Sequence, residues 1–470
     1  MTEHTPKFTA GDIVQACGGR LAAGRPELAA DGLWTDTRTM APGQAFLALI
    51  GPNFDAHEFV PQAIEAGARI IIAQRQEESW SLPLDVALII VGDTTKALMD
   101  LAAWHRSRMR GRVIAVTGSC GKSTVKTMTA ALLAQAGACT VARKSFNNRI
   151  GVSLSLLDAK AVDDFVVLEM GANHFGEIDE LARLARPHAA VITCIGECHL
   201  EAFGDLKGVR DAKAELVAHL DPQGLLVLNA DDRLCLTIAS AYKGQVRTFG
   251  FARDAYVRPH GVRREGENTV FRVWGRTFRL PAVGQHNVLN AAAALCLARW
   301  AGLSLEQVRD GLAEIKMPEL RWEKRVLAGV TYLIDAYNSN PTAMRAALAA
   351  FLEEPVARRR IMVCGDMLEL GAASIPLHRR LGRVLALTGI DSLVAVGPLS
   401  RSVADGWREI ASDGREVFHF ETAEEAWAAV HAIASPGDWV LIKGSRMMQL
   451  EKIVAAITEH LSVKGKEAAA

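Results

Sequence analysis

Residues 117–123 read TGSCGKS; they follow the apolar run 113–116 and precede a helical pattern over residues 124–133. This order predicts a strand, a glycine-rich turn and a helix. The backbone N–H groups of such a turn point into one concavity, and the helix N-terminus adds positive potential, so anions bind there. In this pattern Lys122 reaches the terminal phosphates and the Ser123 hydroxyl binds Mg²⁺. The segment therefore predicts a nucleoside triphosphate site.

One position of this segment departs from the general phosphate-loop pattern. That pattern has a glycine six positions before the lysine, where this chain has Val116. A glycine-rich turn that binds no ligand is therefore the alternative interpretation. A phosphate loop by itself also does not distinguish a kinase, a hydrolase, a motor or a ligase. Cys120 lies at the predicted helix N-terminus, where the pKa of a thiol is lowered and its reactivity is increased.

The length and charge of the chain limit its class. Its 470 residues predict about three domains at ~150 residues each. The 53 basic and 53 acidic residues cancel, so the charge favours neither nucleic acid nor an anionic membrane as a partner. The first residues lack a signal-peptide pattern, and no apolar run reaches the ~20 residues of a membrane span. We therefore expect a cytoplasmic protein.

The eight cysteines are scattered without a disulfide framework. Cys194 and Cys198 form a CxxxC pair, but no second pair follows, which argues against zinc. Reduced thiols are expected in a cytoplasm.

The order of apolar runs predicts an α/β fold of three domains. We expect a small α/β domain over residues 1–107, a central parallel-sheet domain over 108–316 and a second doubly wound, Rossmann-like domain over 317–470. Continuous apolar runs suit a parallel sheet that is covered on both faces; in the central domain they are 165–168, 189–195 and 225–228. Residues 246–283 alternate in polarity, which predicts a small antiparallel excursion.

Ligands in open α/β sheets lie outside the carboxyl ends of the strands. Glu169 ends one apolar run and could hold Mg²⁺ through its oxygens, or could cap the following turn. His199 follows the next run and could bind metal or phosphate, or could be a hydrogen-bonded structural histidine. Lys213 lies in a helical pattern, where a lysine is by default an exposed surface residue.

The third domain also has polar groups after its strands. Residues 335–341 combine Asp, Asn and Ser before a proline, which is good helix-capping chemistry and compatible with ligand contact. GDMLELG at 365–371 and KGSR at 443–446 follow two further apolar runs. These strand ends predict a polar-rimmed crevice opposite the nucleotide site.

Taken in order, these strings resemble the ATP-dependent Mur ligases of bacterial cell-wall synthesis, and among them the members that add D-alanyl-D-alanine. KSFNN at 144–148, EMGANH at 169–174 and GDMLELG separate those members from their sister ligases. The likeness covers nearly the whole chain. Further strings that carry it are residues 36–38, 117–123, 192–204, 284–292, 321–323, 335–341 and 443–446. The short loop with Val116 is the form that this family uses, so Val116 no longer argues against nucleotide binding.

The resemblance implies an ADP-forming ligase that joins D-Ala-D-Ala to UDP-N-acetylmuramoyl-tripeptide, by way of an acyl phosphate. It implies a monomer that acts in peptidoglycan synthesis. The alternatives are another Mur ligase, a folylpolyglutamate synthetase-like ligase, or a nucleotide-binding scaffold without activity. Swapping the amine donor in an activity assay separates the ligases.

The resemblance also assigns roles to residues of this chain. It implies catalytic roles for Lys122, Glu169, His199 and Lys213, and metal binding by Ser123, Glu169, His199 and Lys213, the lysine carrying a carbamate. It implies ATP binding by Thr117, Gly118, Ser119, Cys120, Gly121, Lys122, Ser123, Thr124, Asn287, Asn290, Arg321 and Asp335. It implies that Thr37, Arg38, Asn147 and Asn148 bind the UDP-muramoyl substrate. One departure is Ile334, which stands where relatives have the first acid of an Asp-Asp-Ser-Tyr run.

Overall fold

The computed structural model describes residues 8–411 and 414–467 of the chain. The outer limits of the first and third predicted domains, residues 1 and 470, lie outside this range. Three larger sheets organise the described part, one of five strands and two of six. Short 3₁₀ turns cover Ala56–Phe59, Glu215–His219, Ile238–Ala241, Gly371–Ala373 and Arg446–Met448.

The N-terminal part forms a five-stranded sheet in the order β2-β9-β8-β5-β4. Only β2 runs antiparallel to its neighbour. The pair β1–β3 and the pair β6–β7 form two further small ladders. The elements are β1 Phe8–Thr9, α1 Ala10–Cys17, β2 Arg20–Ala23, β3 Ala29–Ala30, β4 Leu33–Trp34, β5 Ala45–Leu47, β6 Ile50–Gly51, β7 Phe54–Asp55, α2 Val60–Glu65, β8 Ile70–Ala73, β9 Ala87–Ile90 and α3 Thr94–Arg108.

The central part is a six-stranded parallel sheet in the order β11-β12-β10-β13-β14-β15, with a three-stranded antiparallel sheet β16–β18 beside it. Its elements are β10 Arg112–Thr117, α4 Lys122–Leu133, β11 Cys139–Val141, α5 Arg149–Asp158, β12 Phe165–Glu169, α6 Glu177–Ala185, β13 Ala189–Ile192, α7 Leu200–Phe203, α8 Leu206–Ala214, β14 Leu225–Asn229, α9 Arg233–Thr237, β15 Gln245–Phe249, β16 His260–Glu265, β17 Asn268–Val273, β18 Arg276–Leu280, α10 Gln285–Ala301 and α11 Leu305–Ala313.

The central strand β10 is buried on both faces, as its continuous apolar sequence predicts. Ile114 and Val116 pack into one apolar core with residues of α4 and α10. Val113 and Ala115 point the other way, into a core that continues through α5 and α6 to the N-terminal part. This double cover fixes the carboxyl end of β10, where the phosphate loop begins.

Two sequence predictions for the central part were wrong in detail. The strand predicted over 189–195 ends at Ile192, because the N–H of Ile195 turns to the Asp232 side chain, 2.6 Å away. The antiparallel excursion predicted from residue 246 includes β15, but β15 pairs in parallel with β14 and only β16–β18 are antiparallel. Because β15 is a half-exposed edge strand, polar and apolar residues alternate along it, as they do along an antiparallel strand with one face in solvent.

The C-terminal part is a six-stranded sheet in the order β19-β20-β24-β21-β22-β23, parallel except for the edge strand β19. Its apolar cores lie on both faces of the sheet. The predicted α/β fold with a doubly wound third unit is confirmed. The elements are β19 Glu323–Leu327, β20 Val330–Ile334, α12 Pro341–Leu352, β21 Arg360–Gly365, α13 Ser374–Ala386, β22 Ser392–Val396, α14 Arg401–Arg408, β23 Val417–Phe420, α15 Ala423–Ile433, β24 Trp439–Lys443 and α16 Glu451–Glu467.

Helix α3 joins the first and central parts into one packed body. The apolar core beneath it runs from Phe8 through Leu98 to Val152 and Ile178. Near its end, the buried Arg106 donates hydrogen bonds to the carbonyls of Ala185 (2.7 Å) and Arg186 (2.9 Å), at the C-terminus of α6. The predicted domain boundaries at residues 107 and 316 stay predictions.

Replacing Arg106 with Lys should destabilise this junction. A lysine lacks the planar fork that reaches two carbonyls, so one buried carbonyl loses its donor at a cost of about 1–3 kcal/mol. We expect a lower thermal-unfolding midpoint by calorimetry. Arg110→Lys is the control, because Arg110 is exposed. Equal midpoints for the two variants would contradict this role of Arg106.

Candidate active site

The phosphate loop lies between the end of β10 and the start of α4. Gly118 has φ +136°, and a Cβ there would lie 2.0 Å from Thr193 Oγ1. Gly121 has φ +82°, and a Cβ there would lie 2.5 Å from Asn290 Oδ1. Both positions therefore require glycine. The Lys122 ammonium folds back over the loop and donates to the Gly118 carbonyl at 2.7 Å.

A cavity of about 850 Å³ opens in front of this loop and is lined by all three parts of the chain. The central part contributes most of the predicted site residues. Arg321 and residues near the C-terminal strand ends close the opposite side. The lining includes Ser119, Cys120, Gly121, Lys122, Ser123, Asn147, Asn148, Glu169, His199, Arg321, Asn338, Glu369 and Ser445, together with Pro52 and Thr95 from the N-terminal part.

Glu169 lies beside the phosphate loop because β12 is a direct neighbour of β10. Its side chain is 1% exposed. Oε1 accepts a hydrogen bond from Asn147 at 3.0 Å. Oε2 lies 3.4 Å from Lys126 Nζ and accepts no hydrogen bond. A buried carboxylate oxygen that accepts no backbone N–H and faces only a lysine ammonium suits a hard cation better than it suits a turn cap.

His199 connects the central part to the C-terminal part. It has φ +50°, and its Nδ1 lies 2.6 Å from Oε2 of Glu369, in the GDMLELG string. The contact with His199 is the main cause that lowers the pKa of Glu369. The Glu201 N–H also donates to the Glu369 carbonyl at 3.2 Å. The structure therefore brings two strings together that lie 170 positions apart in the sequence (199 to 369).

The surface position expected for Lys213 from its helical pattern is wrong. The residue is 1% exposed, because α8 turns it inward together with Val209, one turn earlier. Burial, and then the nearby charge of Lys122, lowers the pKa of Lys213 to about 8. Among the described residues no carboxylate forms an ion pair with its ammonium, although the charges of Glu215 and Glu177 act on it from a distance, and the ammonium lies 5.6 Å from the Phe203 ring centroid.

A second cavity of about 90 Å³ adjoins the phosphate loop. Its lining includes seven residues that the resemblance predicted for ATP, namely Cys120, Gly121, Thr124, Asn287, Asn290, Arg321 and Asp335. Arg321 stacks on Tyr337 at 4.5 Å and donates to Ser123 Oγ at 3.2 Å. Asp335 accepts a hydrogen bond from the buried Lys443 at 2.7 Å.

The other residues that were predicted to bind ATP or the substrate do not all line the same cavity. Thr117 is buried and donates to the Met170 carbonyl at 2.8 Å, and Thr124 lines the smaller cavity. Asn147 and Asn148 line the larger cavity, and Asn148 also caps α5. Thr37 and Arg38 lie outside the lining of both cavities, and Arg38 pairs with Asp36 at 2.7 Å.

Sequence reasoning missed several residues of the site. Lys126 and Lys443 are buried cations that pair with Glu169 and Asp335. Pro52 and Thr95 reach the cavity from the N-terminal part. The KGSR string indicated Lys443 as a possible site residue. No pattern in the sequence indicates that Lys126, which lies on a helix, pairs with Glu169 at the end of a strand. Within the described ranges, no group of three or more His, Cys, Asp or Glu residues is arranged for a metal.

Polar contacts hold the C-terminal part against the phosphate loop. Asn340 caps α12, as its sequence predicts, and its side-chain amide also donates to the Ser119 carbonyl at 3.3 Å. Glu197 accepts hydrogen bonds from Thr342 at 2.7 Å and Arg345 at 2.8 Å. These side-chain contacts thus hold the start of α12 against the central part. Searched over the described residues, no helix is long and apolar enough to cross a membrane.

Fold and cavity define a three-part α/β protein with a phosphate loop that faces a Rossmann-like unit. Three family models match it in order: "Mur ligase family, catalytic domain" over residues 30–106, "Mur ligase middle domain" over 116–298 and "Mur ligase, glutamate ligase domain" over 320–446. The UDP-N-acetylmuramoyl-tripeptide--D-alanyl-D-alanine ligase of Bacillus subtilis (strain 168) is 36% identical over 96% of this chain and 99% of its own length. The chain belongs to the Mur ligase family, as its motifs predicted.

Solved structures agree with this assignment. MurF from Acinetobacter baumannii superposes with a TM-score of 0.86 at 33% identity, covering 97% of this chain and 99% of its own. The MurF ligase from Thermotoga maritima in complex with ADP gives 0.79 at 26% identity, covering 92% and 98%. The predicted three-domain Mur ligase fold is therefore the fold of this chain.

Replacing Glu197 with Ala should loosen the contact between the central and C-terminal parts. The change removes the acceptor for Thr342 and Arg345, which should cost the closed arrangement about 1–2 kcal/mol. We expect a larger radius of gyration in small-angle X-ray scattering. Glu314→Ala is the control, since Glu314 is exposed at the end of α11. An unchanged radius in Glu197→Ala would contradict this closing role.

Proposed function

We propose that this chain is an ATP-dependent, ADP-forming ligase that adds D-alanyl-D-alanine to UDP-N-acetylmuramoyl-tripeptide. The observation that carries the proposal is the three-sided cavity, where Lys122, Arg321 and the buried Glu169 surround the mouth of the phosphate loop. The names of the relatives support the substrates, and the ADP-bound relative supports the nucleotide. The proposal includes a monomer that works in the cytoplasm, in peptidoglycan synthesis.

The chemistry requires that a poor electrophile be activated. The terminal carboxylate of the tripeptide attacks the γ-phosphorus of ATP, an acyl phosphate forms and ADP leaves. The amine of D-Ala-D-Ala then attacks the acyl carbon, an amide bond forms, and phosphate leaves with its bonding electrons while the amine loses a proton. In this proposal Lys122 and Arg321 neutralise charge on the transferred group, so the protein contributes positioning and electrostatics.

Mg²⁺ fits the oxygen donors beside the loop. The Ser123 hydroxyl and the undonated Oε2 of Glu169 would hold one ion, and the ion would supply charge neutralisation at the phosphates. We assign His199 and a carbamylated Lys213 to a second ion. Lys213 fits that modification, because it is buried, has no ion-pair partner among the described residues and has a lowered pKa, which increases the fraction of neutral amine that can react with CO₂.

The two cavities suggest how the substrates are divided. We assign the smaller one to the adenosine end of ATP, with Asn287 and Asn290 on the adenine side and Arg321 and Asp335 toward ribose and phosphate. Asn147 and Asn148 would contact the muramoyl peptide in the larger cavity. Thr37 and Arg38 lie outside both, which suits contact with the distant UDP end of a long substrate.

A coupled assay tests the reaction. With ATP, Mg²⁺, UDP-N-acetylmuramoyl-tripeptide and D-Ala-D-Ala, we expect phosphate release and a pentapeptide product by mass spectrometry. Single amino acids replace D-Ala-D-Ala in parallel reactions, and glutamate addition there would indicate a folylpolyglutamate synthetase-like enzyme. Lys122→Ala should lower kcat by at least about 100-fold. Absence of phosphate release with all substrates present would refute the proposal.

Labelling with ¹³CO₂ tests the carbamate on Lys213. We expect a carbamate carbon signal by NMR in the wild type that is absent in Lys213→Ala, with a loss of kcat of about 100-fold or more. Lys207→Ala is the control, because Lys207 is an exposed lysine of the same helix. An active Lys213→Ala enzyme, or a signal that persists in it, would contradict this assignment.

A further inference from the structure

Two thiols meet at the phosphate loop. Cys120 belongs to the loop itself, and Cys194 follows the end of β13. Their sulfur atoms lie 3.0 Å apart, and both residues are free and half-buried. Four other cysteines of the chain are fully buried. This pair therefore combines contact between two sulfurs with partial exposure of both residues, and Cys120 lines both cavities.

The backbone around the pair holds the two sulfurs together. The Ser119 N–H donates to the Cys194 carbonyl at 2.9 Å. The Thr193 hydroxyl donates to the Cys120 carbonyl at 2.5 Å. These two hydrogen bonds, one on each side of the thiol contact, join the loop to the segment that follows β13. The contact between the sulfurs therefore does not depend on side-chain rotamers alone.

The two thiols differ in chemical character. The hydrogen bond with Cys194, and then the charge of Lys122, lowers the pKa of Cys120. The same hydrogen bond, together with burial, raises the pKa of Cys194. Cys120 is therefore the more readily ionised of the two thiols. That division matches a peroxide-reactive cysteine with a resolving cysteine beside it.

We propose that Cys120 and Cys194 form a thiol–disulfide modification site that weakens nucleotide binding when it is oxidised by a peroxide. The Cys120 thiolate attacks one peroxide oxygen, an S–O bond forms, the O–O bond breaks, and the hydroxide that leaves takes up a proton. The Cys194 sulfur then attacks the sulfenic sulfur, the S–O bond breaks, and water leaves with the thiol proton. Two thiols and one hydrogen peroxide become one disulfide and two waters.

The consequence for the loop follows from distances. A disulfide holds its sulfurs about 2.05 Å apart, so the 3.0 Å contact must shorten by about 1 Å. Binding sites need their groups within about 0.5 Å of the productive geometry. Moving Cys120 displaces the backbone N–H groups next to Gly121 and Lys122. The effect on binding rests on the proposed nucleotide site, whereas formation of the disulfide does not.

The test compares the full chain with two variants. Wild type, Cys194→Ser and Cys139→Ser are treated with hydrogen peroxide, alkylated and mapped by mass spectrometry, and ADP affinity is measured by calorimetry. Cys139 is the matched control, because it is also half-buried and burial raises its pKa to about 12. We expect a linked 120–194 peptide and about tenfold or more weaker ADP binding in wild type and Cys139→Ser, both reversed by dithiothreitol. Cys194→Ser should give no linked peptide.

Three outcomes would overturn the inference. If both thiols can still be alkylated after peroxide treatment, no disulfide has formed between them. A linked peptide together with an unchanged ADP affinity would show that the disulfide does not weaken nucleotide binding. An equal and reversible loss of ADP affinity in peroxide-treated Cys194→Ser would show that oxidation of Cys120 alone weakens binding, without a disulfide. Failure of the ligase proposal is separate, because reduced wild type would then release no phosphate while the linked peptide still forms.

Discussion

The phosphate loop depends on hydrogen bonds from the end of the neighbouring strand. The Thr193 hydroxyl holds the Cys120 carbonyl, and Ser119 exchanges hydrogen bonds with the Gly196 backbone through its side chain. Thr193 can approach this closely only because Gly118 has no Cβ. The positions of Lys122 and Ser123 follow from this arrangement, since both residues begin α4 directly after the loop. The same closeness places the Cys120 and Cys194 sulfurs in contact.

The third part of the chain completes the site through polar contacts. Arg321 reaches Ser123, Asn340 reaches the Ser119 carbonyl, and Glu369 reaches His199. Polar interfaces between domains cost less to open than apolar ones, and ligands can replace their hydrogen bonds. The N-terminal part differs, because α3 shares an apolar core with the central part. The first two parts therefore share one packed core, whereas hydrogen bonds and an ion pair between polar side chains join the third part to the phosphate loop and to His199.

Much of the fold and part of the site could be predicted from local sequence. Continuous apolar runs identified the buried parallel strands, and the carboxyl end of one of them identified Glu169 as a neighbour of the loop, whereas Asn147 was indicated only by the family resemblance. The edge strand β15 was misassigned, because a half-exposed parallel strand has the same alternation as an antiparallel one. Lys213 was misassigned by its pattern, because the helical period does not show which neighbour covers a lysine. The resemblance to a family assigned that residue to the site, and its role there stays a prediction.

The sequence by itself determined the strand–loop–helix unit, the order of the α/β parts and the family, since these depend on local periodicity and on contiguous strings. Only the tertiary structure decided which distant groups meet: His199 with Glu369, Asp335 with Lys443, and Cys120 with Cys194. The second and third pairs depend on which strands become neighbours within one sheet, and the first depends on how the central and C-terminal parts pack against one another. The energy of that packing is spread over many residues, so no single segment encodes it.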